Sequence, residues 1–282
     1  MGQFFETIPP SLIRWILDQK VFWVATAPLS SSGHVNVSPK GGQYFGVPDI
    51  KTFWYMDLSG SGNETISHLH EPGNARICVM FNAFEGPPRI MRLWGKGRVL
   101  ENGTPEFKSW IMEHNVETIP GTRSIVVLDI HQVGTSCGFS VPLYDFKEFR
   151  PTLNDFFRKK AEKYAAGKEE ESLDRYWAYK NAWSMDGLPG MQRGQIIAKE
   201  KKVVPIKKMV GPLAPKKYVN PHGGVHLEVV VIIAIICFIL GALLSLWMPV
   251  LRDIAVKSST RDQFSGFGTR LHGIKKYVGP LR

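Results

Sequence analysis

Hydrophobic residues fall into short, sharply bounded runs along most of this chain. In "PPSLIRWILDQK" the positions Leu12, Trp15, Ile16 and Gln19 share one face at helical spacing, and the prolines stand where a helix begins. "VFWVATA" (21–27) is a β-rich apolar run; "SSSG" with His34 turns it into "VNVSPKG" (35–41), which predicts a hairpin. Four further runs read as strands: "TFWYMD" (52–57), "ARICVMF" (75–81), "RIMRLWGKGRVL" (89–100) and "SIVVLDIHQVG" (124–134). Helices are expected near 63–71 and 105–115 between strands, and near 152–165 and 169–183 after them. The sum is an α+β, mainly β fold: a six-stranded antiparallel barrel with flanking helices.

The pattern changes beyond residue 190. Residues 191–226 show little periodicity and read as a basic flexible linker, and "VVVIIAIICFILGALLSLWMPVL" (229–251) carries no charge. As a helix its 23 residues reach roughly 34 Å, enough for a hydrocarbon core of about 30 Å, with Trp247 near one end. A C-terminal transmembrane helix is therefore expected over 227–251, followed by a basic tail, 252–282. The expected placement is single-pass in a membrane, with residues 1–190 cytosolic because no secretory signal precedes them.

Charge sharpens this division. The chain of 282 residues has a formal net charge of +10, yet residues 1–190 hold 20 Lys and Arg against 21 Asp and Glu, leaving 15 against 4 for 191–282. A neutral body argues against nucleic acid as its partner, since a phosphate backbone needs a basic face on the folded domain. Three scattered cysteines make neither a disulfide framework nor a metal site. The eight histidines lack ligand spacing, so no metal is expected. No nucleophile elbow, Walker loop or zincin helix is present.

One stretch draws chemical interest, "DLSGSGNETISHL" (57–69). Ser61 and Glu64, three apart, have the form of a capping box. The same free amides, with glycines at 60 and 62 that let a backbone approach closely, also suit a phosphate. Spacing alone leaves both readings open.

The order "VNVSPKG", "FWYMDLSGSGNETISHL", "RICVMFNAFEGPPRIMRLWGKGRV", with "SCGFSVPLYDF" and "YWAYKNAWSMDGLPG" after it, resembles the pyridoxamine 5′-phosphate oxidase-like family of FMN-binding split barrels over roughly residues 5–190. The resemblance implies a dimer with FMN in the groove between subunits. It places Lys40 at the phosphate, Ser59, Ser61, Gly62, Asn63 and Thr65 in the phosphate loop, and Arg89 and Arg92 on a strand beside the flavin, with Trp94 lining the groove or serving as core. Because Arg89 and Arg92 are three apart on a strand they face opposite ways, so one of them, Arg92, is assigned to the flavin. Asn181 and Asp186 read as shaping the "DGLPG" turn. The chain departs from the oxidase pattern where an Arg-Lys pair is replaced by Gly60 and Ser61, an Arg by Val35 and a Gln by Ile90; the R-x-H substrate motif is missing at the expected place, and "RLHG" (270–273), beyond the expected span, is read as a coincidence.

The resemblance thus implies an FMN-binding oxidoreductase acting on a small-molecule redox substrate, with a deazaflavin or haem as alternative cofactor. A non-catalytic flavin-binding or partner-binding barrel at a membrane is the other reading. The flavin itself carries the redox chemistry, so no catalytic acid or base is assigned.

Overall fold

The structure is a computed structural model and describes residues 2–215, 234–241 and 243. The chain divides into two compact units, residues 1–221 and 222–282. In the first, the strands are β1 (Gln3–Phe5), β2 (Val21–Thr26), β3 (Asn36–Gly41), β4 (Phe45–Asp49), β5 (Thr52–Leu58), β6 (Arg76–Asn82), β7 (Ile90–Glu101) and β8 (Thr122–Ser136). The helices are α1 (Pro10–Leu17), α2 (Glu64–His70), α3 (Pro105–Glu113), α4 (Thr152–Ala165), α5 (Leu173–Lys180) and α6 (Gln192–Glu200).

All eight strands join one antiparallel sheet in the order β3-β2-β6-β7-β8-β5-β4, with β1 added beside β8. The sheet is curled. Phe22 of β2 meets Phe53 of β5 at 5.5 Å and Tyr55 at 5.6 Å between ring centroids. A flat sheet would hold strands four places apart about 19 Å from one another. The half-barrel so formed encloses Phe22, Phe53, Tyr55 and Phe81, none more than 2% exposed. Alternation along β2 sends Phe22, Val24 and Thr26 into this core and leaves Trp23 and Ala25 on the outer face. Gly95 is required where β7 shifts register against β8, because a Cβ there would run into the Asp129 carbonyl.

The predicted strands all form, but the sheet has eight strands and not six. β1 has only three residues, and β4, "FGVPD", breaks its apolar run with glycine and proline. The two strands ending the sheet order, β3 and β4, each contain a proline, Pro39 and Pro48, which an edge strand tolerates because one side of its backbone needs no partner.

The stretch read as a linker also differs. Residues 192–200 form α6, whose first amides, on Gln192 and Arg193, donate to the Glu101 carboxylate at 2.7 and 3.1 Å. The cap comes from a residue 91 positions away, so no local signal marks this helix. Met191 is fully buried, and Arg193 forms a two-point ion pair with Asp174 of α5.

The expectation of a membrane-spanning helix and a single-pass placement is overturned: among the described residues, no helix is long and apolar enough to cross a membrane. Within 229–251 the described residues, 234–241 and 243, are helical. The rest of that segment and the basic tail 252–282 lie outside the described residues.

Candidate functional site

The end of β5 delivers Asp57 into a fully buried position between two cations. Lys40 of β3 donates to one carboxylate oxygen at 2.9 Å, and Arg123 of β8 donates Nε–H to the other at 2.6 Å. Burial by itself would raise this carboxyl, but Arg123 and then Lys40 overcome it and hold Asp57 at about 2, below its ordinary 3.8. Tyr55, whose ring lies 5.6 Å from the Lys40 ammonium, is pushed well above its ordinary value, first by burial and then by the Asp57 charge.

Arg123 extends beyond Asp57. Its Nη1 donates to the Gly62 carbonyl at 2.6 Å, and Asn181, at the end of α5, donates to the Gly60 carbonyl at 2.8 Å. The loop after β5 is thus held by its carbonyl oxygens. A trans peptide points its N–H opposite to its C=O, so the Ser61 amide, which shares a plane with the Gly60 carbonyl, is directed away from Asn181. The Ser61 side chain is exposed, and Gly60 has no atom within 4 Å of where a Cβ would stand.

The expected capping box does not form: α2 begins at Glu64 with Asn63 as its N-cap, so Glu64 accepts the amide of the residue just before it at 2.8 Å, and Ser61 lies ahead of the cap with its hydroxyl without a partner among the described residues. Burial raises the Glu64 carboxyl, yet Lys208 and the amides of Asn63, Glu64 and Met185 outweigh it, so its net shift is downward.

The remaining predicted residues divide. Ser59 is buried: its amide donates to the Gly121 carbonyl and its hydroxyl accepts from Trp177 Nε1, both at 2.8 Å. Asn63 is buried and bonded to Ser67, and Thr65 accepts from Asn36 of β3 at 3.1 Å. Gly62, exposed, contributes its carbonyl to Arg123. Lys40, Ser59, Ser61, Gly62, Asn63 and Thr65 therefore gather at the seam between β3 and the β5–α2 loop.

Arg92 and Trp94 do not join them. They alternate with the core residues Met91 and Leu93 and stand on the outer face of the sheet. Arg89 is turned to the Trp15 ring, 5.2 Å away. Across the outer face, strand register aligns Trp94 with Cys78, Ala25 and Val37, and Arg92 with Met80, Trp23 and Pro39. A cavity of about 490 Å³ lies there, lined by Val35, Cys78, Trp94, Arg76 and His131 among others, with no carboxylate in its wall. A larger one of about 670 Å³, between α1 and residues 144–149, is lined by none of the predicted residues.

Four residues at the seam were not singled out as ligands by sequence: Asp57, Arg123, Asn181 and Lys208. Arg123 carries a readable signal, a lone cation opening the apolar run "SIVVL". Asn181 and Lys208 carry none, since helix packing alone brings them to the loop.

No protein-family model matches the chain. A curated pyridoxamine 5′-phosphate oxidase family protein of Aspergillus flavus is 39% identical over 200 residues, covering 68% of this chain and 78% of the relative. Among solved structures, HupZ of Group A Streptococcus is 16% identical, covers 45% of this chain and 92% of its own, and has a TM-score of 0.34. An FAD binding protein from Mycobacterium smegmatis is 11% identical, covers 46% and 96%, and has a TM-score of 0.33.

Proposed function

This chain belongs to the pyridoxamine 5′-phosphate oxidase family, and from that premise we propose that it is a flavin-binding split barrel that works as a homodimer and as an FMN-dependent oxidoreductase on a small-molecule redox substrate. The observation that carries the reading is the loop after β5. Its carbonyls are pinned inward by Asn181 and Arg123, while the Ser61 amide and hydroxyl are left toward solvent beside open space at Gly60. Outward donors on a fixed loop are what a phosphate group needs.

The residues present fit such a group in kind. Ser61 supplies neutral donors, and Lys40 and Arg123 supply positive charge that the single Asp57 carboxylate does not cancel. Ser59, Asn63 and Thr65, all buried, hold the loop in shape instead of offering their side chains to a ligand. On the outer face Arg92, Trp94 and the carboxylate-free cavity offer a flat, partly apolar surface for a ring system, and Val35 and Val37, 72% and 60% exposed, extend it with apolar surface of the kind a second copy covers. A bound flavin would supply the hydride and electron chemistry. The chain's own part is to bind, orient and exclude water.

The test is direct. The full-length chain, stripped of ligand and titrated with FMN, should give a saturable quench of flavin fluorescence, and the bound pigment should bleach with a reduced nicotinamide donor. Absence of any FMN binding removes the reading; binding without reduction by any donor removes its oxidoreductase part.

A further inference from the structure

After α6 the chain runs back along α5, where the Ile206 amide donates to the Tyr179 carbonyl at 2.9 Å. This return carries Lys208 down beside the β5–α2 loop. Its side chain is 12% exposed and its Nζ makes no hydrogen bond among the described residues. The nearest carboxylate oxygen, on Glu64, is 3.8 Å away, outside hydrogen-bond reach. Glu64 is already engaged by the amides of Asn63 and Met185 at 2.8 and 3.2 Å. The other charges facing Lys208 are cations: Arg123 from β8 and Lys180 from α5. Burial, reinforced by those two and only partly offset by Glu64, pushes the ammonium down to about 8.

Lys208 and Glu64 form an ion pair at 3.8 Å without a hydrogen bond between them, so the pair offsets only part of the cost of burying the ammonium. Around the Gly60–Gly62 loop four cations, Lys40, Arg123, Lys180 and Lys208, meet two carboxylates, Asp57 and Glu64. Two positive charges remain unbalanced.

We propose that Lys208, carried by a segment outside the barrel, supplies the positive potential that the loop itself lacks and so sets its affinity for a phosphate group. The inference deepens the flavin reading and rests on it for the identity of the ligand. Lys208 is a positioning residue, acting through its field and through Glu64, so the return segment 201–215 becomes part of the binding apparatus.

The experiment uses the full chain as wild type, Lys208→Met and Lys208→Arg, with FMN, riboflavin and inorganic phosphate as probes. Lys208→Met should weaken FMN about tenfold and leave riboflavin, which lacks the phosphate, within about twofold. In the wild type the preference for FMN over riboflavin should decline as pH rises through about 8, and in Lys208→Arg, where the cation does not titrate, it should hold. Equal losses for both flavins in Lys208→Met, or a wild-type preference that ignores pH, would overturn the proposal. Should the wild type take neither flavin yet bind phosphate in a Lys208-dependent way, by broadening of its phosphorus resonance, the electrostatic inference stands and the flavin reading falls. Phosphate and FMN binding both indifferent to Lys208 would sink the inference itself.

Discussion

At the scale of single residues, the arrangement turns on Asp57, which ties β3, β5 and β8 together through Lys40 and Arg123. Its carboxyl sits at about 2 in the folded chain against an ordinary 3.8. A lowered carboxyl contributes stability that is complete above the unfolded value and is lost as pH falls through the folded one. Denaturant melts between pH 5 and pH 2 should therefore show a loss on the order of 2 kcal/mol from this group, concentrated below about pH 4. Asp57→Asn should abolish that component and, by taking the carboxylate from the buried Arg123 and the partly buried Lys40, lower stability at pH 7 by about 3 kcal/mol. An unchanged acid limb in the variant would mean that Lys40 and Arg123 are satisfied elsewhere. Little of this was visible in "YMDLSG", where Asp57 reads as a strand-end acid like any other. Lys40 could be chosen from the family pattern, but its partner sits 17 positions away and Arg123 lies 66 from Asp57. Such pairs are products of strand order.

Among the elements, α5 and α6 with the turn between them give the β5–α2 loop its fixed shape. Trp177 bonds Ser59, Asn181 bonds Gly60, and Gly190 lies so close to Asn63 that a Cβ would overlap its side-chain amide and the Asn181 carbonyl. Gly190→Ala should cost about 3 kcal/mol through this overpacking, whereas Gly60→Ala, with no atom within 4 Å, should change stability by less than about 0.5 kcal/mol. Paired thermal melts decide it; equal effects at the two glycines would show that the turn yields. The elements themselves were legible in proportion to how locally they are determined. The β2–β3 hairpin and the long strands β7 and β8 follow from alternation and turn residues, and the helix α3 falls within the expected 105–115. β4 and α6 escaped notice because an edge position in the first case and a remote carboxylate cap in the second stand in for signals that a sequence normally prints.

For the whole molecule, the outer face of the sheet is the surface on which the homodimer reading depends. Val37 lies 60% exposed in the row with Ala25, Cys78 and Trp94, and a symmetric interface counts every substitution twice. Val37→Glu should convert a dimer to a monomer in sedimentation and weaken FMN by about tenfold or more, since an unpaired charge in an apolar contact costs several kcal/mol. A variant that stays dimeric moves the interface elsewhere. What the sequence determined by itself was the run of strands and helices, the near-neutral body with its basic C-terminal part, and the family, because these depend on local spacing, on summed charge and on motif order. It also suggested a membrane span that the described helices do not form. Only the tertiary structure decided which charges meet at the seam, that Arg92 and Trp94 face away from Lys40, and that Lys208 returns to the loop. Those outcomes rest on how the sheet curls and on where α5 and α6 pack, and contacts across such distances leave no period or motif in the chain that makes them.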